Sequence, residues 1–142
     1  MKYQTCHSGK IFAVRWFQTD VASLEAVEQE FSSACRRVRD KLVYVSISKD
    51  DTPPPDDATR KKMLAGVDVI LKEASHFFIV MESRGFRGSV QRTAMAGLML
   101  VYKNSRQIKT CANMDEVFAE LENAKIPVNR QQVLKDMATA GL

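Results

Sequence analysis

Leu42-Val43-Tyr44-Val45-Ser46-Ile47-Ser48, LVYVSIS, is the stretch on which the fold turns. Its apolar character is nearly continuous, the pattern of a central strand covered on both faces. What surrounds it decides how that strand is used. Upstream, Thr19 or Asp20 offers an N-cap, and Val21, Leu24, Val27, Phe31, Cys35 and Val38 recur three or four residues apart, which predicts an amphipathic helix. Before that helix, Tyr3 to Ser8 reads as a short strand that turns at Ser8-Gly9 into Lys10 to Gln18, a segment dominated by β-branched and aromatic residues. The first 18 residues therefore read as a β-hairpin.

Downstream, SKDDTPPPDDAT carries three prolines that forbid regular pairing, and Asp56 or Asp57 can cap the helix marked by Met63, Val67, Ile70, Leu71 and Ala74. Gly66 weakens that helix by roughly 1 kcal/mol relative to Ala, which points to close packing there. His76 to Met81 reads as the next buried strand, and MESRGFRGS as a connection. Val90 to Lys103 reads as a helix with Ala94, Met95, Leu98, Val101 and Tyr102 on one side. Gln107 to Ala112 is a weaker strand. Asn113 caps a further helix, with Glu116 placed to complete a capping box and Val117, Phe118 and Leu121 facing inward. Pro127 breaks it, and Asn129 to Met137 adds a short final helix.

Helices that alternate with buried strands require mainly parallel pairing and right-handed crossovers, so only the first hairpin can be antiparallel. The expected architecture is α/β: one domain over residues 1–142, with an N-terminal hairpin over 1–18 and a C-terminal extension over 126–142. Its sheet is mixed and mainly parallel, with four to five strands and four to five helices. A chain of 142 residues, 45% hydrophobic and 27% charged, suits one compact core. No run approaches the roughly 18 apolar residues of a membrane span, and MKYQTCHSGK lacks a signal-peptide apolar region, so the expectation is a cytoplasmic chain with no membrane insertion.

The net charge of +4 comes from 21 basic and 17 acidic residues that are interspersed, which argues against nucleic acid as a partner. Cys6, Cys35 and Cys111 are widely spaced and show no C-x-x-C or zinc-ligand pattern, so they read as reduced structural thiols with no metal. Arg36-Arg37-Val38-Arg39-Asp40-Lys41 closes a helix, where cations complement the dipole. DDTPPPDD lacks the ligand spacing of a calcium loop and reads as a stiff exposed loop with capping acids. His7 and His76 are the only histidines. His7 and Cys6 are neighbours in a strand and point to opposite faces, so no catalytic pair or triad can be drawn. Glu82, at the end of a central strand, occupies the position where α/β folds put their sites, and a pairing with Arg84 or Arg92 is its simplest role.

MESRGFRGSVQR offers three readings. Free N–H groups at a helix start favour an anion, with Arg84, Arg87 and Arg92 adding charge-assisted bonds around Gly85, Gly88 and Ser89. The stretch matches neither G-x-x-x-x-G-K-[ST] nor G-x-G-x-x-G. Phe86 between two arginines is also the kind of anchor that a protein interface uses. The plainest reading is a turn with solvated arginines.

The order of elements, with LVYVSI as the second main strand and QIKTCANMDEVFAEL as the last strand and helix, resembles the STAS domain of bacterial anti-sigma factor antagonists over roughly Tyr3 to Asn123. In regulatory members of that family a partner kinase phosphorylates a serine at the start of the next helix. Here Pro55-Asp56-Asp57-Ala58-Thr59-Arg60 occupies that stretch, with Ala58 at the acceptor position and Thr59 one residue on as the candidate acceptor. The resemblance implies a non-enzymatic regulatory module that works through a protein partner, a homodimer included, and needs no cofactor. The alternative is a small-ligand or nucleotide-binding protein that uses residues 82–92 as an anion site.

Overall fold

The computed structural model describes residues 1–49, 52–82 and 107–142. Within them, five strands form one mixed sheet in the order β1-β2-β3-β4-β5: β1 Tyr3–Ser8, β2 Ile11–Trp16, β3 Leu42–Ser48, β4 Ala74–Met81 and β5 Ile108–Cys111. Four helices accompany them: α1 Val21–Val38, α2 Asp57–Glu73, α3 Met114–Asn123 and α4 Arg130–Thr139. β1 and β2 pair antiparallel through a two-residue loop in which Gly9 takes φ 57°, and the other three pairings are parallel. The α/β architecture with its opening hairpin is as the sequence predicts. The helix expected over residues 90–103 lies outside the described residues.

Because spatial order follows chain order, crossovers of one hand place their helices on one face. Val27, Phe31, Ala34 and Cys35 of α1 and Val67 and Ile70 of α2 share a core with Phe12, Val14, Trp16, Leu42, Tyr44, Phe77, Ile79 and Met81. On the opposite face, Val117, Phe118 and Leu121 of α3 and Val133 and Met137 of α4 pack on Ile11, Ala13, Val43, Val45, Ile47, Phe78 and Val80. The segment 126–142 is thus built into the second core. Ser8 also donates a 2.6 Å hydrogen bond to Asp136 of α4, which ties that helix to β1.

Each helix starts on a side chain that accepts from its first turn: Asp20 from Ser23 N–H, Asp56 from Thr59, Asn113 from Glu116 and Asn129 from Gln132. Glu116 reaches back to the N–H of Ala112 rather than to that of Asn113, one residue further than a capping box requires. Arg36 and Arg37 fall in the last turn of α1. A β-carbon on Gly66 would collide with the Glu28 carboxylate, so this glycine lets α2 approach α1 closely.

β4 begins earlier than His76. Ala74 already pairs with Leu42, whereas Val43 pairs with His76, so Ser75 is an extra residue and the facing of the strand changes there. An aromatic row then crosses the sheet: Phe12, Tyr44 and Phe77 are register neighbours, and Phe31 of α1 stands edge-on to Phe12 and Tyr44 at 5.4 and 5.0 Å between ring centres. Phe31 is 1% exposed. Phe31→Ala is expected to cost about 3–5 kcal/mol in urea unfolding, because the row cannot collapse into the space.

His76 stacks on Phe78 and is held below the ordinary histidine value, first by burial and then by the charge of Lys109. The unfolded chain therefore takes up this proton more readily than the folded one. The associated stability is complete above the ordinary value of 6.5 and is lost as pH falls through the lower folded value. The carboxylates held low, Asp20, Asp56 and Asp136, start from 3.8 and act below that window. Urea midpoints measured at pH 7 and pH 5 should differ less for His76→Gln than for the parent chain.

Candidate functional site

The α1/α2 face of the sheet changes character along the strands. After the aromatic row, the next register neighbours are Val14, Ser46 and Ile79, followed by Trp16, Ser48 and Met81. Successive residues on one face of β3 are thus Tyr44, Ser46 and Ser48, three hydroxyl groups in line. A cavity of about 540 Å³ opens there, floored by Trp16, Tyr44, Ser46, Ser48, Phe77, Ile79 and Met81 and covered by Leu24 and Glu28 of α1 and Met63, Leu64, Val67 and Ile70 of α2. It sits toward the C-terminal ends of three parallel strands, where open α/β sheets place their ligands.

The proline segment forms the rim. Thr52 is buried, donates 2.9 Å to the Trp16 carbonyl and accepts from Lys49 N–H at 3.1 Å, and this fixes Pro53, Pro54 and Pro55 at the opening. Charges around the opening are compensated among the described residues: Lys49 faces Glu82 at 3.7 Å, Lys62 faces Glu28 at 3.4 Å and Arg60 faces Asp57 at 3.4 Å. Glu82 therefore meets Lys49, whereas Arg84 and Arg92, the partners expected from sequence, lie outside the described residues. So do Gly85, Phe86, Arg87, Gly88 and Ser89, and with them the whole arginine loop.

The hydroxyl groups are unequally satisfied. Trp16 Nε1–H donates to Ser46 Oγ at 3.0 Å. Tyr44 is 3% exposed, and burial first and the charge of Glu28 second push its phenol well above the usual tyrosine range, so it stays a neutral donor. No hydrogen bond joins that hydroxyl to another described residue. Yet the one sealed side-chain polar atom without a partner among the described residues is Arg15 Nε, so the Tyr44 hydroxyl is open to the cavity. A shallower depression of about 490 Å³ between β1 and α1 differs in this respect, since the nearby Tyr3 and the lining Thr5 both donate to Glu30 at 2.8 Å.

Thr59, the candidate acceptor, is 2% exposed in the first turn of α2. Its hydroxyl and its N–H both bond Asp56 and hold that carboxyl below its ordinary range. A kinase would reach this hydroxyl only after the turn opens. Other reactive groups are engaged or buried. His7 bonds the Gly9 carbonyl, and His76 lies 3.3 Å from Ser75 Oγ. The thiols of Cys6, Cys35 and Cys111 are unpaired and buried, and burial pushes all three up, Cys111 to about 11. Among the described residues no three His, Cys, Asp or Glu side chains gather to hold a metal, and no helix is long and apolar enough to cross a membrane. Compared with known protein families, characterised proteins and solved structures, the chain shows no match.

Thr59→Ala, which removes a buried methyl and hydroxyl, should lower stability by about 1–2 kcal/mol in urea unfolding. Thr59→Glu should cost clearly more, because it brings a carboxylate into a buried position against Asp56.

Proposed function

We propose that this chain is a non-enzymatic regulatory module of STAS-like type that acts through contacts with a protein partner. The observation that carries the reading is the sheet itself. Its strands follow chain order, its one antiparallel pair is the opening hairpin at an edge, and β3 and β4 are interior, which is the succession on which the resemblance rests. The roles taken by potentially reactive side chains also support it. Glu82 is engaged by Lys49, the histidines stand apart on different strands, and the thiols are buried at raised values.

Within this reading the partner docks on residues 84–92, with Phe86 supplying apolar area and Arg84 and Arg87 supplying orientation. A switch at Thr59 would work by opening the first turn of α2, since Thr59 is buried there. A second copy of the chain is one such partner.

The test is capture by the immobilised chain of a protein from an extract of its own host, with the captured protein then purified and rebound. Phe86→Ala combined with Arg87→Ala should abolish rebinding while stability stays within about 0.5 kcal/mol of the parent chain. Rebinding by the double variant at parental affinity would refute this docking surface. If Arg87→Ala alone weakens binding of inorganic phosphate and Phe86→Ala does not, the loop is an anion site instead.

A further inference from the structure

We infer that the cavity under α1 and α2 is a binding site for a small, neutral, mostly apolar molecule that carries one hydrogen-bond acceptor, such as an aromatic or acyl carbonyl compound. Its size, about 540 Å³, falls in the range of small-molecule sites, which are apolar clefts with a few convergent polar groups. Aromatic and aliphatic side chains make most of its wall: Trp16, Phe77, Ile79, Met81, Val67 and Ile70. Beside the filled aromatic row, this space forfeits packing contacts that larger side chains on β3 would supply. β3 instead places serines at 46 and 48.

The polar groups define the ligand. Tyr44 is nine-tenths buried or more, has no hydrogen bond to a described residue, and opens on the cavity. A ligand that fills the cavity shuts this hydroxyl off from solvent, so it must bring an acceptor for it or bind at a cost. Ser46 already accepts from Trp16, so its own proton is directed to a second acceptor position on the same face. A carbonyl oxygen in the cavity would accept from one of these donors. Charge selects further. Lys49, Lys62 and Arg60 each face a carboxylate, so the rim among the described residues offers no uncompensated cation for a phosphate or carboxylate ligand. The site is separate from the arginine loop and does not depend on partner capture by it.

Trp16 is the only tryptophan of the chain and lies in the cavity wall, which provides a direct readout. The probe is prodan, a neutral naphthalene that bears a propionyl carbonyl and whose emission shifts to the blue in apolar surroundings. It should bind the full chain saturably, with a blue shift and with energy transfer from Trp16. Tyr44→Phe keeps the ring and removes the donor, and should weaken binding about five- to tenfold, the value of one hydrogen bond. Ser48→Phe places a ring on the cavity floor and should abolish the saturable component. Circular dichroism and the unfolding midpoint of each variant show whether the fold is kept. Absence of saturable prodan binding to the parent chain would overturn the inference. So would binding that is indifferent to both folded variants, or a rise in unfolding temperature with inorganic phosphate or ATP but not with prodan. A parent chain that captures its partner but does not bind prodan sinks this inference alone, and one that binds prodan but captures no partner sinks only the proposed function.

Discussion

β3 has to be buried on both faces at once, and the rest of the structure is arranged around that requirement. Val43, Val45 and Ile47 are at most 2% exposed on the α3/α4 side, while Leu42 and Tyr44 are at most 3% exposed on the other. A strand in this position cannot turn either face to water, so it needs a hydrogen-bonded neighbour on each edge and a helical layer on each side. β2 and β4 supply the edges in parallel register. Connections of one hand put α1 and α2 above, which leaves α3 and α4 to close the underside.

The same strand also explains why a cavity exists. At Tyr44 the upper face is filled by four aromatic rings, from Phe12, Phe31, Tyr44 and Phe77, in mutual contact. Two residues later the side chain shrinks to serine, and two further on to serine again, while Trp16 and Met81 on the flanking strands stay large. Space is therefore lost from the middle of the sheet rather than from its edge. That gives a walled cleft instead of a groove open to solvent. The proline segment stiffens its opening, because Thr52 hooks that segment to the end of β2 and three prolines limit how far the backbone can move.

Much of this architecture was legible in the chain. The periodicity of Val27, Phe31 and Cys35, the cap at Asn113, the caps at Asp20 and Asp56 out of the pairs Thr19/Asp20 and Asp56/Asp57, and the apolar runs at β3 and β4 follow local rules that tertiary contacts did not override. Gly66 signalled a close approach, and Glu28 is what it approaches. Other features were hidden for physical reasons. Continuous apolar runs carry no face information, so the extra residue at Ser75, which switches the facing of β4, left no trace in the pattern. The cavity did leave one: Ser46 and Ser48 interrupt LVYVSIS at alternate positions, which marks one face of a central strand as polar. Their meaning depends on Trp16 and Met81, which register brings alongside from residues more than 30 positions apart. The pairing of Glu82 with Lys49 is long-range in the same way.

Native-state amide hydrogen exchange across the sheet tests the central place of β3 most directly, because amides held in the most protected unit exchange only through global unfolding. The N–H groups of Val43, Val45 and Ile47 should show opening free energies equal to the stability obtained from urea unfolding, with β1, an edge strand, opening at lower cost. Exchange of Val45 well below the global value, or slower exchange in β1 than in β3, would contradict the account.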